Sequence, residues 1–393
     1  FITICVAAAA AILEVKMNHL SPEELQELKD LVRNFALQDV KPHVKEFDES
    51  GDFPLELLKQ AFEMGLHILE IPEEVGGQGL SYRNTAEIFE ELAKVDAGFA
   101  ISLVTTFVAL RSVLMVGNEE QKKLFADIIV PGGFGAFCLT EPNAGSDAGS
   151  LRTTAVRDGD DYILNGRKCW VTNGEYADVF VVFAKTDKNK GTKGISAFIV
   201  ERKRPGITIG KHENKLGLRL SNTCDVAFTN VRIPASHLLG EEGMGFKIAM
   251  GTLNVSRAFV GTLAVGICQA AIDECVKYVQ ERKQFGQPIG NFQAVQMILA
   301  DMEIQTQAAR QLVKYSMQLM DEGDPVVKEG AITKTFCGDT VVRVTTDAVQ
   351  IFGGYGISKE YPVEKLMRDS KVFQIFEGTN QIQRMTIAKE MLK

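Results

Sequence analysis

The stretch Cys138-Leu-Thr-Glu-Pro-Asn-Ala-Gly-Ser-Asp-Ala-Gly-Ser150 holds a dense set of groups able to grip a ligand. An apolar run, Phe134 to Leu139, stops there at a loop of small and polar residues. Gly145 and Gly149 carry no Cβ, so backbone N–H groups can approach a ligand closely. Thr140 and Ser146 add hydroxyls, and consecutive amides in such a loop form an anion-binding concavity. The same residues also make an ordinary surface turn, and taken alone the two readings weigh about equally. A second carrier of chemistry is Glu377, in Phe373-Gln-Ile-Phe-Glu-Gly-Thr-Asn380. An apolar approach leads there to Gly378 and a helix N-cap at Thr379 or Asn380. A carboxylate flanked by Phe376 and buried is desolvated, which raises its pKa toward that of a useful general base. The plain alternative is a helix-start carboxylate that only satisfies the dipole.

Composition limits what these groups can serve. A chain of 393 residues exceeds one simple core and implies two or three domains. Its 45% hydrophobic and 24% charged content is that of an ordinary globular protein. A formal charge of −8 argues against a nucleic-acid or anionic-membrane binder. Any polyphosphate must be held by local positive charge and aimed amides. The seven cysteines form no C-x-x-C pair and the five histidines no H-E-x-x-H, so neither a disulfide framework nor a metal site is expected. This is the cysteine usage of a reducing compartment. Residues 1–16 are alanine-rich, too short to span a bilayer and without a basic leader; Met17 reads as the start, and 1–16 as an extension of unknown role.

The elements that must position these groups follow from periodicity. Ser21-Pro-Glu-Glu24 signals a helix start, and Leu25, Leu28, Leu31, Val32 and Phe35 recur at helical spacing. Similar patterns cover 55–66, 84–95 and 99–116. Near Gly132 the texture changes to β-rich runs, Lys168–Thr172, Val179–Ala184, Ile195–Val200 and Val226–Thr229, separated by turn clusters. From about Gly245 long helices return, with Leu253, Val260, Leu263, Ile267 and Ala271 on one stripe and Val295, Ile298, Met302, Ala309, Leu312 and Ser316 on another. Gly353-Gly-Tyr-Gly356 follows a predicted helix rather than a strand, which disfavours a Rossmann site.

Gln350-Ile-Phe-Gly-Gly-Tyr-Gly-Ile-Ser-Lys-Glu-Tyr-Pro-Val-Glu-Lys-Leu-Met-Arg-Asp369 and Gln374-Ile-Phe-Glu-Gly-Thr-Asn-Gln381, taken with the 138–150 loop, resemble the acyl-CoA dehydrogenase family of FAD enzymes. The likeness runs from about Leu20 to the C-terminus. It implies a mainly α fold with a central β domain: an N-terminal helical domain (17–133), a small β-barrel or sheet domain (134–245) and a C-terminal four-helix bundle (246–393). It also implies FAD-dependent α,β-dehydrogenation of an acyl-CoA thioester, or the reverse reduction. That chemistry needs a base for the α proton, a polarised thioester carbonyl, and a flavin to take hydride.

By the same resemblance Glu377 is the catalytic base, and its backbone N–H helps hold the thioester carbonyl. Phe137, Leu139, Thr140, Gly145 and Ser146 line the flavin and pyrophosphate, with Ser146 also near substrate. Trp170, Val171 and Thr172 match the segment that packs on the flavin ring; without the match, a lone tryptophan in a strand is core. Arg282, Phe285, Gln293, Gln350, Gly353 and Gly354 resemble contacts to the ADP portion made across a subunit boundary, and Thr379, Asn380 and Gln381 should also touch the cofactor. Asn254, Arg257, Phe376 and Gly378 fall on the substrate side. Asn254 stands where Asp is usual, and Ser256 stands where some relatives carry their base. A shared cofactor implies a homotetramer, a dimer of dimers.

Lys185-Thr-Asp-Lys-Asn-Lys-Gly191 and Gly245-Phe-Lys-Ile-Ala-Met250 are similar to short-chain, butyryl-CoA type enzymes. Gly145 to Thr154 and Lys215-Leu-Gly-Leu-Arg219 are similar to crotonobetainyl-CoA reductases. Phe376 replaces the usual tyrosine. Phe107, Leu110 and Arg111 of the pocket-floor helix differ from the short-chain set, and Arg111 reads as paired within the N-terminal domain or solvated rather than as a ligand for a polar acyl tail. The expectation is therefore a bacterial cytoplasmic enzyme, rather than one of the mitochondrial matrix, for a short, modest-length or aryl-substituted acyl chain. Its redox partner is expected to be an electron-transferring flavoprotein. An acyl-CoA oxidase and a catalytically silent electron-relay subunit are the alternatives.

Overall fold

Ser21 and Glu24 close a reciprocal cap: Glu24 N–H donates to Ser21 Oγ at 3.2 Å and Ser21 N–H to Glu24 Oε2 at 2.8 Å. This opens α1 (Pro22–Phe35) of the computed structural model, which describes residues 17–393; the 1–16 extension lies outside the described residues. α2 (Val44–Ser50), α3 (Leu55–Glu63), α4 (Tyr82–Ala93), α5 (Ala97–Val116) and α6 (Glu119–Ile129) complete the first helical part. α3 stops three residues short of its sequence pattern, where Gly65 turns the chain at φ +74°. α5 is apolar all round and buried from Ala97 to Met115, so it is the core of this part rather than a surface helix.

Eight strands follow: β1 (Phe134–Cys138), β2 (Thr154–Asp158), β3 (Asp161–Thr172), β4 (Ala177–Lys185), β5 (Ile195–Glu201), β6 (Ile207–His212), β7 (Thr223–Pro234) and β8 (Leu238–Leu239). The sheet order is β6-β7-β3-β2-β4-β5-β8, and β1 runs parallel beside β4. Tyr162, Phe180, Phe198 and Phe228 fill its own small core. The other face joins the main core through Val179, Val181 and Phe183. Alternate residues of one strand thus serve two cores, as the period of two requires.

The second helical part contains α7 (Gly245–Glu281), a hairpin of β9 (Lys283–Gln284) and β10 (Gln287–Pro288), α8 (Gln293–Asp321), α9 (Val327–Phe352), α10 (Val363–Ser370) and α11 (Asn380–Met391). α9 packs on α7, α8 and α11 and is the hub of the bundle. The three parts meet at Lys365, whose Nζ donates to Asp96 and to Asp369, each at 2.5 Å. Leu218 N–H of the sheet part donates to the second oxygen of Asp369 at 2.6 Å. Helices, sheet, helices: the order read from the sequence is the order observed.

Candidate active site

Between α10 and α11 the backbone takes two successive left-handed residues, Glu377 at φ 56° and Gly378 at φ 89°. For a glutamate this is a strained conformation that surroundings must enforce. Three side chains do so. Arg257 Nε donates to the Glu377 carbonyl at 3.2 Å. Gln383 Nε2 donates to the carbonyls of Glu377 and Gly378, both at 3.1 Å. Lys334 Nζ donates to the Gly378 carbonyl at 2.8 Å and to Asn380 Oδ1 at 2.9 Å. A Cβ on residue 378 would sit 2.5 Å from Gln383 Nε2, so the grip itself requires glycine. Of the two candidate N-caps, Thr379 is the one used: Ile382 N–H donates to its Oγ1 at 3.3 Å. Asn380 is buried instead, and its Nδ2 donates to Asp339 Oδ1 at 2.8 Å.

With its backbone fixed, Glu377 keeps a buried carboxylate oxygen, Oε2, that has no hydrogen-bond partner. Burial pushes its pKa above the usual carboxylate value, while Arg257, Lys334 and Arg111, in that order, pull it back down. Arg257 is 5% exposed, and its Nη1 donates to Asn254 Oδ1 at 2.7 Å. The Asn254 departure from Asp therefore leaves the Arg257 charge uncancelled by its side-chain partner. Burial pushes the Lys334 ammonium down to about 8. Phe376 is partly buried, with its ring 5.1 Å from that of Phe373. Arg111 is paired within the N-terminal part, to Glu70, as one of the sequence readings had it.

The 138–150 loop is stapled from beneath. Lys168 is fully buried; its Nζ donates to the Leu139 carbonyl at 3.0 Å and to Glu141 Oε1 at 2.8 Å. Glu141 also accepts from the backbone N–H groups of Arg152, at 2.6 Å, and Thr153, at 3.0 Å. Burial would raise the Glu141 pKa, but the Lys168 charge and these donors overcome it and hold the carboxyl low. Gly145 has open space around its Cβ direction, and Ser146 is exposed. Gly149 differs: its Cβ would lie 2.8 Å from Thr192 Cγ2, so it serves a protein contact rather than a ligand. Leu139 is buried, Thr140 is half-buried, and Phe137 is half-buried with its ring 4.9 Å from Phe183.

Trp170 is not core. It is 61% exposed at φ 57°, where the pairing of β3 with β7 slips between Lys168 and Val171. The bulge adds a residue and re-aims a side chain that strict alternation would leave in register. Val171 is buried and Thr172 half-buried.

The remaining expected residues are not all brought to one place. Arg282, Gly353 and Gly354 line a cavity of about 470 Å³ with Tyr278, Phe352 and Tyr355. Arg282 lies 5.2 Å from the Tyr355 ring centroid. Nothing stands within 4 Å of a Cβ built on Gly353 or Gly354, so backbone is open to a ligand there. Gln350 is exposed just before this lining, and Gln381 is exposed on α11. Phe285, 93% exposed, and Gln293 sit at the hairpin and the start of α8, outside that lining. Sequence reasoning missed Lys334, Gln383, Lys168 and Glu141. In the sequence each is a charged or amide residue among mixed neighbours, which by itself reads as solvated.

Family models for the acyl-CoA dehydrogenase N-terminal, middle and C-terminal domains match residues 22–132, 136–231 and 243–392. An acyl-CoA dehydrogenase of Bacillus subtilis is 44% identical over 376 residues, 95% of this chain and 99% of that one. Acryloyl-CoA reductase (NADH) of Anaerotignum propionicum is 44% identical, covering 96% and 97%. The 3-(aryl)acrylate reductase of Clostridium sporogenes is 42% identical, covering 94% and 99%. Butyryl-CoA dehydrogenase from Megasphaera elsdenii superposes with a TM-score of 0.93 at 42% identity, covering 96% of this chain and 100% of that one. A chain in the structure described as "Electron transferring flavoprotein of Acidaminococcus fermentans: Towards a mechanism of flavin-based electron bifurcation" gives 0.93 at 44%, with the same coverage. Fold and site define a flavoprotein oxidoreductase acting on CH–CH groups. The chain belongs to the acyl-CoA dehydrogenase family.

Proposed function

We propose that the protein binds FAD and dehydrogenates an acyl-CoA between Cα and Cβ, or reduces the corresponding enoyl-CoA, with Glu377 moving the α proton. The observation that carries this is the buried, partnerless Glu377 Oε2 on a loop held by three side chains. The residues fit a flavin dinucleotide shared between subunits: a strained, exposed tryptophan beside Thr172 offers a face for a ring, and Arg282 of a second copy, beside the open Gly353 and Gly354, offers a cation for a diphosphate. Bound there, FAD supplies the hydride acceptor or donor. Glu377 takes the α proton in the oxidative direction and returns it in the reductive one. Its desolvation makes it a stronger base, while Arg257 and Lys334 keep its anion tolerable.

Substrate and partner follow from the relatives. Butyryl-CoA, acryloyl-CoA and arylacrylate in their names support a short or aryl-substituted acyl group, and the Acidaminococcus structure supports an electron-transferring flavoprotein as redox partner. The exposed Met297, Ile304 and Tyr315 of α8 support burial of that helix in a homotetramer. The six cysteines among the described residues are unpaired, which supports action in the bacterial cytoplasm. The deciding experiment is a panel of acyl- and enoyl-CoAs assayed with an electron-accepting dye and with reduced electron-transferring flavoprotein. Turnover of short acyl- or enoyl-CoAs is expected. Fast oxygen consumption instead would indicate an oxidase, and no flavin response to any thioester would leave only the electron-relay role.

A further inference from the structure

We propose that Glu70 is a positioning residue for proton transfer at Glu377, acting at a distance by cancelling the charge of Arg111. The inference rests on the reading of Glu377 as the proton-transferring group. Arg111 on α5 and Glu70, in the segment between α3 and α4, are each 3% exposed. They pair at two points: Arg111 Nε donates to Glu70 Oε2 at 2.9 Å and Nη2 donates to Oε1 at 2.5 Å. The third nitrogen, Nη1, donates to Ser256 Oγ on α7 at 3.3 Å. Ser256 directly precedes Arg257, whose Nε holds the Glu377 carbonyl. The guanidinium also lies 4.8 Å from the Phe259 ring centroid and 5.5 Å from that of Tyr82. Two charged residues of the first helical part are thus packed against the helix that grips the catalytic loop.

Stability does not explain the pair. Well-packed apolar residues of similar volume usually serve as well as a buried ion pair or better. Its position among the charges does. The charges of Arg257 on α7, Lys334 on α9 and Arg111 on α5 each pull the Glu377 pKa down. Arg257 bonds to a neutral amide and a carbonyl, and Lys334 likewise. Arg111 alone has a carboxylate across two bonds. Asp339 acts on Lys334 and Asp321 on Glu70, which leaves Glu70 as the anion that sets how strongly the third cation acts on the base. Without Glu70, a bare Arg111 charge favours the Glu377 anion and weakens it as a base. Without Arg111, Glu70, whose pKa burial already pushes up, takes up a proton, so its charge is lost together with that of its partner. Removing both leaves the net charge as it began.

The test uses full-length protein with FAD bound and three variants: Glu70→Gln, Arg111→Gln and the double variant. The protonation midpoint of Glu377 is read as the infrared carboxylic C=O band that Glu377→Gln abolishes. The pH profile of substrate-driven flavin reduction is read alongside. Glu70→Gln should move the midpoint down by about one pH unit or more, while Arg111→Gln and the double variant should each leave it within a few tenths of a unit of the parent. An unmoved Glu70→Gln, an Arg111→Gln that moves down with it, or a folded double variant that does not return would each overturn the proposal. If Arg111→Gln does not fold, Glu70→Gln and the double variant still decide. Should the parent show no substrate-driven flavin reduction, the proposed function fails by itself, while the infrared titration still reports whether Glu70 governs Glu377.

Discussion

Two buried charge clusters, one around Lys365 and one around Glu377, are built on opposite plans. At the Lys365 junction every carboxylate oxygen of Asp96 and Asp369 is occupied. Asp96 accepts from Phe99 N–H at 2.7 Å and from Lys365, while Asp369 accepts from Leu218 N–H and from Lys365. At the Glu377 loop three side chains, two of them cations, spend their hydrogen bonds on backbone carbonyls, Asn254 and Asn380, and Glu377 Oε2 receives none. The first cluster is complete and holds three parts of the chain together. The second is deliberately short of one donor, in a place where burial makes that costly. An unfilled valence inside a rigid cage is what a proton-transfer site needs, and a filled one is what a joint needs.

The contrast can be broken at either end. Glu377→Gln should cut substrate-driven flavin reduction by about 10³-fold or more, while thermal unfolding shows no loss of stability, because the change removes a desolvated and unsatisfied group. Lys365→Met should do the converse at the joint: it strands two buried carboxylates and costs about 3–5 kcal/mol in denaturant unfolding, with the chemistry lost only through unfolding. Lys334→Met should fall between them. Loss of the Gly378 and Asn380 contacts lets the loop drift, lowering kcat by about 10²-fold with KM little changed, as steady-state kinetics would show.

A smaller, signed effect concerns pH. The folded-state pKa of Glu377 lies above its ordinary value of 4.5, so its contribution to stability is greatest below that value and is lost as pH rises through the raised one. The melting temperature of the parent should therefore fall relative to Glu377→Gln as pH increases from the acid side. Melting curves of both proteins across that range would check the sign.

Local signals were legible in the sequence and pairing was not. The capping box of Ser21 and Glu24, the apolar stripe of α8, and the Glu377–Gly378–Thr379 run each rest on local spacing, where periodicity and turn chemistry operate, whereas α7, read as one stripe, is buried on every side from Val255 to Cys268. The Trp170 bulge was not legible, because a slip in register depends on the partner strand. Nor were the pairs Lys168–Glu141, Arg111–Glu70 and Lys334–Gly378, separated by 27, 41 and 44 residues. In one dimension each of those charges looks like part of a solvated face. Only the fold shows that burial has made each of them specific.

The most direct test is hydrogen exchange at Cα of a bound acyl-CoA analogue whose β position carries no transferable hydrogen, measured in heavy water with FAD-loaded protein. The parent should exchange the α hydrogen, and Glu377→Gln, with its flavin still bound, should not. Exchange that persists undiminished in Glu377→Gln would contradict the assignment of Glu377 as the proton-transferring group.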